Sequence, residues 1–159
     1  MAKNELVFGY GSNMDLNQMH NRCPNSDLAS FNAKAKGWKL CFPRTSSLRK
    51  GGVGSIVPSP CDETWGVVFS VDSQDLLRLD GFEGVNSGAY RRDFIEVFDS
   101  NDKPHKVWTY FAIPKDNPPK HYVPHKDYLD LYIQGADYFQ LPKDYVQKLK
   151  TIATKKTDE

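Results

Sequence analysis

Runs of apolar residues with strand or helix spacing divide this chain, and turns rich in Gly, Pro, Asn and Ser separate them. Glu5–Tyr10 (ELVFGY) predicts a first strand that runs into a turn at Gly11-Ser12-Asn13. Asp15–Cys23 predicts a short helix, capped by Asn13 or Asp15 and stopped by Pro24. Phe31–Phe42 alternates weakly and Thr64–Val71 (TWGVVFSV) is strongly apolar, and both predict strands. Between them Thr45–Ser59 is rich in Ser and Gly and predicts a loop placed to cover a site. Arg91–Phe98 and Lys106–Ile113 alternate on either side of a turn at Asp99–Pro104, which is a hairpin pattern. Lys115–Pro124 carries three prolines and predicts irregular chain. Lys126–Phe139 has Tyr128, Leu129, Tyr132, Ile133 and Ala136 at helical spacing. Leu141-Pro142 opens a last helix through about Ile152. The pattern predicts an α+β domain over residues 1–154 with a strongly curved or closed sheet, and a frayed tail at Lys155–Glu159.

The segment Ser73–Glu83, with Asp72 or Ser73 as its cap, predicts an amphipathic helix with an unusual residue on its apolar side. Leu76, Leu77, Leu79 and Phe82 mark the buried face, while Gln74, Asp75 and Arg78 project elsewhere. Glu83 follows Leu76 by seven residues and Leu79 by four, which places it on that face. A carboxylate there loses hydration and needs partners or a raised pKa, the condition for a general acid/base. The competing expectation is an ordinary solvated glutamate: Gly81 and Gly84 flank it, and an early helix end would let it swing into water.

Composition narrows the classes. A chain of 159 residues fits one domain and buries a sizeable core. With 21 Lys+Arg against 20 Asp+Glu, charge marks it neither as a nucleic-acid binder nor as a membrane binder. Cys23, Cys41 and Cys61 lie far apart, which argues against a zinc module or disulfide framework and for a reducing compartment. The apolar stretch Leu6-Val7-Phe8 is too short for a signal peptide or a membrane span, so the expected location is cytoplasmic. Eight tyrosines supply residues suited to a pocket that is apolar yet offers hydroxyls.

Phe8-Gly9-Tyr10-Gly11-Ser12-Asn13 is a second candidate for chemistry. Two glycines directly after a strand let the backbone approach a ligand, and successive amides there can form an anion-binding nest. The dinucleotide and P-loop fingerprints both fail here, the first for its third glycine and the second for Gly-Lys-Ser/Thr. Ser12 is not in a G-x-S-x-G elbow. His121 and His125 are four apart but Pro124 separates them, so no metal site is expected. Arg91 and Arg92 are adjacent on a strand and point to opposite sides, so the expectation is that both are exposed or at a rim, the alternative being that one faces a ligand carboxylate.

Taken together these segments resemble a known family. Tyr10-Gly11-Ser12-Asn13-Met14 resembles the YGSN motif of the gamma-glutamylcyclotransferases, and Leu79-Asp80 with Glu83–Tyr90 looks like that family's catalytic-glutamate segment. Gly51–Pro58, Glu63–Val68, Pro124–Tyr128, Gly135-Ala136 and Leu141-Pro142-Tyr145 extend the likeness, in order, over most of the chain. The resemblance implies a small, mixed, mostly antiparallel barrel-like sheet with flanking helices and a cavity at its mouth. It implies Glu83 as the acid/base, the turn Phe8–Asn13 as substrate-binding, and Tyr90, Tyr110 and Tyr128 as pocket tyrosines. The implied partner is a small gamma-glutamyl compound, with no cofactor or metal, and the chain forms a homodimer in many members. His125 and Arg91-Arg92 depart from the family pattern, which bears on the leaving group more than on the reaction. A gamma-glutamylamine or carrier-linked substrate, and a non-catalytic binding protein on the same scaffold, are the alternatives.

Overall fold

The computed structural model describes residues 3–156. Strand β1 (Asn4–Gly9) leads through a 3-10 turn (Ser12–Met14) to helix α1 (Leu16–Arg22). Two long strands follow, β2 (Ser30–Ser46) and β3 (Gly51–Asp72), then α2 (Ser73–Phe82). Strands β4 (Tyr90–Asp99) and β5 (Pro104–Ala112) form the predicted hairpin, and α3 (Lys126–Tyr138) and α4 (Lys143–Lys150) complete the chain. The strands close into a barrel in the order β1-β3-β2-β4-β5. Four neighbouring pairs are antiparallel, and β1 closes on β5 in parallel at Val7 and Trp108. The sheet is thus mixed and mostly antiparallel, with helices around it. Among the described residues, no helix is long and apolar enough to cross a membrane.

Alternation along the strands sends consecutive residues to opposite faces and builds two apolar clusters. Val7, Val67 and Phe69 join Met14, Met19, Leu79, Leu129 and Tyr132 in one. Phe8 and Val68 join Ala33, Ala35, Ile56, Val97 and Phe111 in the other.

Several expectations need correction. Gly51–Ser59 is not loop: it is the first part of β3, and Gly51–Pro58 pairs with Trp38–Ser46 of β2, with only residues 47–50 left as the turn. Glycine and serine lower strand propensity on average, but here tertiary approach requires them. A Cβ on Gly54 would lie 2.0 Å from the Tyr132 hydroxyl. On α2 the apolar face is narrower than the periodicity implied. Leu76 and Leu79 are buried, but Leu77 and Phe82 are 66% and 54% exposed. Asp75, expected to project outward, is fully buried, accepting hydrogen bonds from the Asn25 amide, the Asn25 side chain and the Ser26 hydroxyl. The side chain ties α2 to the segment after α1. Of the alternative caps, Asp15 accepts from the Gln18 amide and Asp72 from the Gln74 amide. His125 caps α3. Lys155, assigned to the frayed tail, has paired backbone: its carbonyl accepts from Lys126 N and its amide donates to Pro124 O. The rest of that tail beyond Lys156 lies outside the described residues.

Candidate active site

The end of β1 opens into a small cavity of about 40 Å³. Ten residues singled out in the sequence line it: Phe8, Gly9, Tyr10, Gly11, Ser12, Asn13, Glu83, Tyr90, Tyr110 and Tyr128. Gly54, Thr109 and Tyr132 complete its wall. The residues come from β1 and its turn, the end of α2, both strands of the hairpin, β3 and α3. The cavity therefore exists only when the barrel is closed and the helices are docked.

Glu83 is held by a specific helix ending. It is the C-cap of α2, in αR conformation, and its own amide still reaches Leu79 O. Gly84 follows with φ +70°, a left-handed conformation that glycine adopts without penalty. Val85 N then bonds Asp80 O at 3.0 Å and Gly84 N bonds Gly81 O at 3.1 Å, which is a Schellman closure. The glycines do end the helix before Glu83, but the closure turns its side chain inward instead of releasing it to water. That side chain is 15% exposed.

Asn13 Nδ2 donates to Glu83 Oε1 at 3.1 Å, and Arg22 Nη1 lies 3.7 Å from the same oxygen. The Asn13 carbonyl oxygen in turn accepts from Gln18 Nε2 at 3.0 Å and Arg22 Nη1 at 3.2 Å. Two donors on one side fix which end of the amide faces Glu83. Burial pushes the Glu83 carboxyl above its ordinary value, against the lowering pull of Arg22, the Asn13 hydrogen bond and Arg49. Burial also lowers the Arg22 pKa, which Glu83 partly opposes.

The tyrosines form two groups. The Tyr10 hydroxyl donates to Tyr110 O at 2.6 Å, and the Tyr110 hydroxyl donates to Asp80 Oδ1 at 2.7 Å. Asp80 is held by a two-pronged pair with Arg92, at 2.8 and 3.1 Å. Opposite them, the Tyr128 and Tyr132 hydroxyls meet at 2.8 Å, Gly54 N donates to Tyr128, and Tyr90 donates to Gly54 O. Burial raises the pKa of Tyr90, Tyr110, Tyr128 and Tyr132, which keeps them as protonated donors. The Tyr128–Tyr132 contact uses one of the pair's two O–H groups, and the other has no acceptor among the described residues. The cavity wall thus offers one uncommitted hydroxyl donor.

Sequence reasoning missed Gln18, Arg22, Asp80, Arg92 and Tyr132. The spacing of Tyr128 and Tyr132 by four residues on a predicted helix was a usable signal that both share one face. The Asp80–Arg92 pair joins α2 to β4, and no local pattern announces it. Arg92 is therefore not at an open rim: it also lies over Trp108 at 4.2 Å, while Arg91 pairs with Asp93. His121 packs against Phe42 and His125 caps α3, so the two histidines do different work.

Comparison with known proteins agrees with this architecture. Residues 63–149 match the AIG2-like family. A Homo sapiens protein named gamma-glutamylcyclotransferase is 33% identical over 151 residues, covering 92% of this chain and 78% of its own. The Bos taurus protein of the same name is likewise 33% identical over 151 residues, with the same coverage. A solved structure named gamma-glutamyl cyclotransferase superposes with a TM-score of 0.89 at 30% identity, covering 98% of this chain and 91% of that one. Closed barrel, cavity and extended sequence identity lead to one assignment: the chain belongs to the gamma-glutamylcyclotransferases of the AIG2-like family.

Proposed function

We propose that this protein converts a gamma-glutamyl-amino acid to 5-oxoproline and the free amino acid, with Glu83 as the proton carrier. The observation that supports this most directly is a desolvated carboxylate on the wall of a cavity whose lining also includes the turn after β1 and the Tyr128–Tyr132 pair. The substrate contains both reacting groups. Its α-amine attacks its own γ-carbonyl, a five-membered lactam closes, and the amine on the γ-carbon departs. The protein's task is to fold the substrate so that the two ends meet, a contribution of several kcal/mol, up to ~7–11 in ideal cases.

The α-amine is an ammonium at neutral pH and must lose a proton, and the departing amine must gain one. One carboxylate serves both steps in turn. An ordinary glutamate near pKa 4.5 is poorly matched to an amine near about 8, and burial of Glu83 narrows that gap. Asn13 fixes the side chain while leaving Glu83 Oε2 for the amine. The amides of the turn Gly9–Ser12 and the uncommitted hydroxyl of the Tyr128–Tyr132 pair supply donors for the developing oxyanion and the substrate carboxylate.

Purified protein is expected to release 5-oxoproline from gamma-glutamyl-alanine and to leave the N-acetylated compound untouched. Glu83→Gln is expected to lower kcat by roughly 10²–10⁴-fold with an unchanged circular dichroism spectrum. Full activity in that variant would remove Glu83 from the mechanism.

A further inference from the structure

The inner cavity adjoins a second space of about 360 Å³, and Ser12, Glu83, Tyr90 and Tyr128 belong to both walls. Three guanidinium groups reach this outer space from separate elements: Arg22 at the end of α1, Arg44 near the end of β2, and Arg49 in the β2–β3 turn. Among the described residues of its wall, Glu83 is the only carboxylate. Arg22 is committed to Asn13 and Glu83. Arg44 and Arg49 are half-buried and their described partners are neutral. Arg44 Nη1 donates to the carbonyls of Ala89 and Ile113, and Arg49 Nη2 donates to Gln18 Oε1 at 2.7 Å. Each guanidinium has five N–H groups, so each keeps donors beyond these bonds. Arg49 also lies over the ring of Tyr128, a residue shared by both walls, at 5.4 Å.

We propose that Arg44 and Arg49 form a subsite for the α-carboxylate of the departing amino acid, a reading that rests on the cyclotransferase function above. With the γ-carbonyl beside Glu83, the group attached to it must lie outward, in this space. In a gamma-glutamyl-amino acid an α-carboxylate follows the scissile amide within two bonds. A simple amine has none, and a lysine linked through its ε-nitrogen carries its carboxylate several bonds away. Two positive charges with no acidic hydrogen-bond partner among the described residues therefore select α-linked amino acids over both, and the fork of the guanidinium suits a carboxylate better than an ammonium would. Gln18 ties this subsite to the proton carrier: its carbonyl oxygen holds Arg49 and its amide nitrogen holds Asn13.

The test compares kcat/KM for gamma-glutamyl-alanine, its isosteric alaninamide, and gamma-glutamyl-ε-lysine, with 5-oxoproline as the readout. The wild type is expected to favour the carboxylate over the alaninamide by roughly 10- to 100-fold, mostly through KM. That ratio is expected to fall toward one in R44Q/R49Q, and to fall with ionic strength in the wild type. A wild-type ratio near one, a ratio that salt leaves unchanged, or a ratio kept by the double variant overturns the subsite while leaving the function intact. Absence of 5-oxoproline from every substrate overturns the function itself. The salt series needs no variant, so a misfolded double mutant does not block the decision.

Discussion

The proposed reaction places two demands on Glu83: to be buried enough to bind a proton and open enough to exchange it. The structure meets both by leaving 15% of the side chain exposed and by giving one oxygen, Oε1, to Asn13. Its raised pKa has a stability consequence with a definite sign. A carboxyl whose folded pKa exceeds its unfolded one favours the folded state at low pH, and that contribution is lost as pH rises through the folded pKa. Glu83→Gln is therefore expected to gain Tm relative to the wild type as pH rises above the ordinary glutamate range, and to show little difference below it. Thermal melts across that range check this. The acid limb of kcat/KM is expected above the ordinary glutamate value, since the free enzyme must first lose this proton.

At the scale of elements, the ending of α2 decides where that carboxylate points. Gly84 is left-handed, and an alanine there costs about 1–2 kcal/mol. Its added Cβ would also meet the Ser87 hydroxyl at 2.9 Å. Gly84→Ala is expected to lose about that much stability in urea melts and to lose activity by more than the unfolded fraction explains. Much of this element-level design was legible beforehand. The turn Gly9–Asn13, the hairpin β4–β5 and the helices follow from periodicity and turn residues. What was not legible has a common cause. Gly51–Ser59 is strand because Gly54 must pass close to Tyr132, and Asp75 is buried because Asn25 and Ser26 come to it from another segment. Both depend on partners distant in sequence, which periodicity does not see. The placement of Glu83 was readable in outline, but its partners Arg22 and Asn13 were not.

The whole molecule matters because the cavity is assembled by closure. Strand β5 meets β1 in parallel, and Thr109 Oγ1 donates to Phe8 O at 2.8 Å where the two strands reach the cavity. Thr109 is fully buried. Thr109→Val keeps the shape and removes this one bond, with an expected cost of about 1 kcal/mol in equilibrium unfolding. A larger relative loss in turnover is expected if closure at this seam sets the distance between the Phe8–Asn13 turn and Tyr110, and single-turnover kinetics would measure it. A cavity lined from six separate elements also explains why the family likeness spans most of the chain and is not confined to one motif.

The direction of α2 has one more effect. The aligned peptide dipoles of a helix leave its C-terminal end partially negative, a setting that disfavours a carboxylate and favours a cation by about 0.3–1 kcal/mol. Glu83 stands at that end. The same field that makes its negative charge less comfortable therefore attracts the ammonium of an arriving substrate. In the proposed reaction, recognition of the positive amine and readiness to take its proton become two results of one helix direction.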